Sequence, residues 1–141
     1  MLVSPVGSTK GNATETLEGK LMDERIRFVE HKGKRILLLD FSRATAPQMI
    51  PLLTQVQTTV AQQEPKSALV LANFEGAEID HNVAMKIKEV LTFDRPFVKK
   101  SAWLGSEHIP QELSESFHIF TQREPATFRT REAALDWLVR E

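Results

Sequence analysis

Apolar residues along this chain fall into two rhythms, short unbroken runs and spacings of three to four, and the two take turns. Ile26, Phe28 and Val29 begin a strand, and Lys32-Gly33 follows as a tight turn in which glycine accepts positive φ. Residues 35–41 hold the unbroken run Ile36-Leu37-Leu38-Leu39, the pattern of a strand buried on both faces. These two segments predict a hairpin. Thr45 is placed to cap a helix, with Pro47 in its first turn. Met49, Leu53, Val56 and Val60 recur at i, i+4, i+7 and i+11, which is one helical face. Pro51 is expected to delay that helix or bend its first turn, and Pro65 closes the segment.

The alternation continues. Residues 68–74 form a second apolar run, ended by Gly76. Asp80 caps a helix whose face is Val83, Ile87, Val90 and Leu91, and Asp94-Arg95-Pro96 reads as a turn. Residues 97–104 predict a third inner strand, ended by Gly105. Pro110 opens a helix with Leu113, Phe117 and Phe120 on one side, and Pro125 closes it. Residues 126–128 suit an edge strand. Thr130 caps a last helix that buries Ala134, Leu135 and Leu138, with Trp137 beside them. The order β-β-α-β-α-β-α-β-α predicts an α/β fold. Its single four- to five-stranded mixed sheet has an N-terminal antiparallel hairpin, then parallel strands, packed with helices. Residues 1–24 are rich in Ser, Thr, Gly, Glu and Asn without an apolar period and are expected to be a flexible tail. The domain is expected over 25–141.

Composition narrows the class of protein. The chain has 141 residues, 41% hydrophobic and 26% charged, which suits one globular domain. Its 18 basic and 19 acidic residues leave a net charge of −1. A nucleic-acid partner is not expected, because phosphate contacts need a basic excess. Lys99-Lys100, an adjacent basic pair, reads as a solvated strand or loop end. There is no cysteine, which removes disulfides and thiolate chemistry. The first residues lack the pattern of a signal peptide. No apolar run approaches the ~20 residues of a transmembrane span. A cytoplasmic protein is expected.

In open α/β sheets ligands meet the loops at the carboxyl ends of the strands. That rule selects loops 42–45, 75–82 and 105–108, and within them Ser42, Glu75, Asp80, His81, Asn82, Ser106 and His108 as candidate binding residues. Ser106, His108 and Asp80 supply the residue types of a hydrolytic triad, but no G-x-S-x-G elbow presents the serine. No catalytic residue is assigned. Asp80, His81 and His108 lack the spacing of a metal site, and no metal or cofactor is expected. Gly76 and Gly105 are single glycines, too few for a phosphate loop.

Three stretches carry a resemblance: 69–80 (LVLANFEGAEID), 95–102 (RPFVKKSA) and 128–138 (FRTREAALDWL). Together they resemble the bacterial SpoIIAA-like family, whose fold is shared with STAS domains and compared with CRAL-TRIO lipid-transfer domains. The resemblance implies a mixed sheet of four or five strands packed by helices. In STAS domains that antagonise anti-sigma factors, a serine following an aspartate at a helix start accepts phosphate. Asp80 matches that aspartate, while His81 and Asn82 occupy the serine positions. The resemblance thus implies a non-enzymatic protein-interaction or regulatory module, without the usual phospho-acceptor and with an unidentified protein partner. The alternative is a small-ligand or lipid-binding domain. It needs an apolar pocket of ~300 Å³ or more, for which a chain this short, with helices close to the sheet, is expected to leave little room unless a dimer or lid supplies a wall. The edge strand at 126–128 and aromatic residues near turns lead to the expectation of a homodimer.

Overall fold

The computed structural model describes residues 24–105, 107, 109 and 126–140. The expected tail, apart from Glu24, and the expected helix after Pro110 lie outside the described residues. Strand β1 (Ile26–His31) and strand β2 (Lys34–Asp40) pair antiparallel, with His31 opposite Lys34. Between them Lys32 and Gly33 both take positive φ, 51° and 81°. Positive φ at both central residues defines the type I′ turn, whose twist matches that of the flanking strands.

Helix α1 (Ala46–Val60) follows, then strand β3 (Ala68–Asn73), helix α2 (His81–Asp94), strand β4 (Val98–Leu104), strand β5 (Ala126–Phe128) and helix α3 (Arg131–Val139). The five strands lie in the order β1-β2-β3-β4-β5, and every pair after the first is parallel. The expected mixed sheet is present.

The unbroken runs are buried on both faces because helices cover both. Leu37, Leu39, Val70, Ala72 and Trp103 pack towards α1 and α2. Ile36, Leu38, Leu69, Leu71 and Ala102 pack towards Ala134 and Leu138 of α3. Side chains alternate across a strand, so each run serves two cores.

Helix α1 is neither delayed nor interrupted by Pro51. A capping box starts it at Ala46: Gln48 N donates to Thr45 Oγ1 at 3.4 Å and Thr45 N to Gln48 Oε1 at 2.9 Å. The amide that Pro51 lacks would have served the Pro47 carbonyl. Both prolines are exposed, so water can serve it instead.

Three further expectations change. Asp94 is the last residue of α2 and is buried, and the turn falls at 95–97. Phe97 consequently belongs to that turn, with β4 starting at Val98. Lys100 is not a solvated end. Its Nζ donates to the carbonyls of Trp137 at 3.0 Å and Arg140 at 2.7 Å. A cation there satisfies the open carbonyls at the end of α3.

Candidate functional site

Two regions hold chemistry. At the carboxyl ends of β2 and β3 the loops are tied together by backbone. Arg43 N donates to Glu75 O at 2.9 Å, and Glu78 N to Ala44 O at 2.9 Å. The Glu78 carboxylate accepts from Ala46 N at 2.6 Å, at the start of α1. Gly105 closes against the same loop; a Cβ there would lie 2.5 Å from Glu75 N. The result is a braced ledge.

The candidate residues divide by role on this ledge. Ser42 is half-buried, and both its N and its Oγ donate to Asp40 Oδ1, at 3.0 and 2.6 Å. Its hydroxyl is thereby occupied. Asp80 caps α2, accepting from Val83 N at 2.8 Å. Glu75, His81 and Asn82 are exposed. Ser106 and His108 lie outside the described residues. Among the described residues no three carboxylate or imidazole side chains come together as a metal cluster.

The second region was not legible as a site. Between the sheet and helices α1 and α2 lies a cavity of about 500 Å³. Its walls include Val56, Ile87 and Val90 from the helices and Val70, Ser101 and Trp103 from the sheet. Beside it β5 is only three residues long and pairs with 102–104 alone. The first half of β4 therefore has no outer strand among the described residues. The expectation of little room is overturned.

One polar group in this cavity stands apart. Asp94 is only 7% exposed, and its Oδ1 finds no hydrogen-bond partner among the described residues. Burial pushes its pKa from 3.8 up to about 7, because a carboxylate loses its hydration there. A signal for Asp94 exists in the sequence. Continuing the spacing 83, 87, 90 by four gives 94, which puts the carboxyl on the buried face. Arg95, Lys99 and Lys100 also reach the cavity. Arg95 and Lys99 are exposed, and the Lys100 ammonium is held by α3.

The arrangement of five strands and flanking helices is a SpoIIAA-like fold. A solved structure with it is an uncharacterized protein from the DUF3478 family of Shewanella loihica PV-4. The two chains share 16% identity with a TM-score of 0.62, over 80% of this chain and 91% of that one. No family model matches the sequence, and no curated protein does.

Proposed function

We propose that this domain is a non-enzymatic, cytoplasmic binding module that takes a small, mostly apolar ligand between its sheet and helices α1 and α2. The cavity carries the reading. Its volume of about 500 Å³ falls within the ~300–1,000 Å³ usual for small-molecule sites. Its wall is hydrocarbon and aromatic surface with few polar groups, the composition such sites have. No helix among the described residues is long and apolar enough to cross a membrane.

Binding can be followed by the fluorescence of Trp103 and Trp137, both of which line the cavity. A neutral apolar probe such as pyrene is expected to bind with one-to-one stoichiometry and to change that emission. Ala72 faces the same cavity, and Ala72→Phe should fill it and weaken the probe at least tenfold while circular dichroism stays native. Unchanged affinity in a folded Ala72→Phe variant would place the probe elsewhere and defeat the reading.

A second reading assigns the ledge to a protein partner, as in STAS-type interaction modules. Its support is the bracing of an exposed surface: Glu75 projects from backbone held by the Arg43 and Gly105 contacts, and exposed His81 and Asn82 follow on the helix capped by Asp80. A rigid surface loses less entropy on docking. Under this reading His81→Ala with Asn82→Ala abolishes partner binding and leaves the pyrene titration unaltered. A complex indifferent to the double change counts against it.

A further inference from the structure

The cavity wall is not uniformly apolar, and the exception constrains what can enter. Asp94 borders the cavity, and its Oδ1 is buried with no hydrogen-bond partner among the described residues. Buried polar atoms in folded proteins nearly always have a partner, protein or water, so one that lacks it calls for an explanation. We propose that the ligand is an amphiphile whose single polar head donates a hydrogen bond, an alcohol or an amine, and that Asp94 receives that head while the hydrocarbon lies against Val56, Val70 and Ile87. This rests on the ligand-binding reading above and adds the chemistry of the head.

The preference for a donor follows from the acceptor. An ionised carboxyl accepts at both oxygens, and a protonated one still accepts at its carbonyl oxygen. A hydroxyl or ammonium head is therefore matched in either state. A carboxylate head only accepts, so it is matched only when Asp94 carries the proton. Against an ionised Asp94 it would bring two like charges together in a poorly solvated place. The cations bordering the cavity do not reverse this. Lys100 is engaged by the Trp137 and Arg140 carbonyls. Arg95 and Lys99 are exposed, where water screens their pull on a head group.

Three ligands with the same hydrocarbon chain separate the possibilities: decanol, decylamine and decanoate, titrated into the full chain at pH 8 with tryptophan emission and calorimetry as readouts. Decanol and decylamine are expected to bind at least tenfold more tightly than decanoate. Asp94→Leu should bring the three within about threefold of one another. Should that variant fail to fold, Asp94→Asn keeps an acceptor oxygen and loses the charge. It should hold decanol and weaken decylamine about tenfold. Decanoate binding as tightly as the other two, or a preference that survives Asp94→Leu, would overturn the assignment of the head while leaving an apolar pocket in place. Failure of all three to bind, together with failure of pyrene, would remove the pocket reading itself.

Discussion

At Asp94 a carboxyl group stands where the helical spacing of its neighbours calls for hydrocarbon. Its proton is lost near pH 3.8 in a solvated chain and near 7 in the folded one. Between those values the folded state binds more protons, so stability falls as pH rises and levels off above about 7. Asp94→Asn removes that dependence. The variant should match the parent near pH 4 and exceed its stability by on the order of a few kcal/mol at pH 8. Urea unfolding of both proteins across that range tests it; parallel profiles would mean that Asp94 is solvated. His81 and Asn82 raise a different question, because the resemblance to STAS domains would set them at the phospho-acceptor positions. The Asp80 carboxylate already takes the Val83 amide, and its charge opposes a phosphate beside it. No phosphate is expected at 80–83 after incubation with host lysate and ATP, as read by mass spectrometry. Stoichiometric modification of His81 would restore the switch.

Elements are held by a few positions where the backbone itself is constrained. Gly33 and Gly105 both have positive φ, but they sit differently. A Cβ at Gly33 would meet nothing within 4 Å, whereas one at Gly105 would press on Glu75 backbone at 2.5 and 2.7 Å. Gly33→Ala should cost about 1 kcal/mol, the strain of a left-handed residue. Gly105→Ala should cost more, about 2–4 kcal/mol, because the ledge must also move. Leu38, in the core under α3, should lose about 2–4 kcal/mol on change to Ala. Chemical denaturation distinguishes all three. These elements were largely legible in the sequence, since runs such as 36–39 and caps such as Thr45, Asp80 and Thr130 are local signals. What was not legible depended on distant contacts. Lys100 was read as solvated because its carbonyl partners lie 37 and 40 residues away. Asp94 was lost to the turn signal of Arg95-Pro96. The cavity left no signature, because empty space belongs to no residue.

For the molecule as a whole, the outer strands β1 and β5 differ in how they meet solvent. Arg35 lies over the Phe28 ring at 3.8 Å and partly covers it, yet Phe28 stays 39% exposed. Beyond β5 no further strand pairs among the described residues. Exposed edges invite pairing between copies, and we expect a homodimer. Sedimentation at tens of micromolar, the scale of ordinary weak dimers, should give twice the chain mass; a monomer there would discard the expectation. The hairpin and α3 are also linked, through Asp136, which His31 Nε2 meets at 2.7 Å and Lys32 Nζ at 3.1 Å. Those two contacts, His31 first, hold the Asp136 carboxyl below its usual range. Their contribution is present above the unfolded pKa and fades as acid protonates the group.

The strand order along the sheet repeats the strand order along the chain. Each strand therefore meets a neighbour that left the ribosome just before it, and no early edge has to wait for a late segment to insert. Assembly can begin at the Lys32-Gly33 turn and extend outward strand by strand, with each step closing a loop of modest length. Helix α3, the last described element, packs on strands that are already in place. Kinetics should record this sequence of events. Leu38→Ala, in the hairpin, should slow folding, whereas Leu138→Ala, in α3, should mainly hasten unfolding.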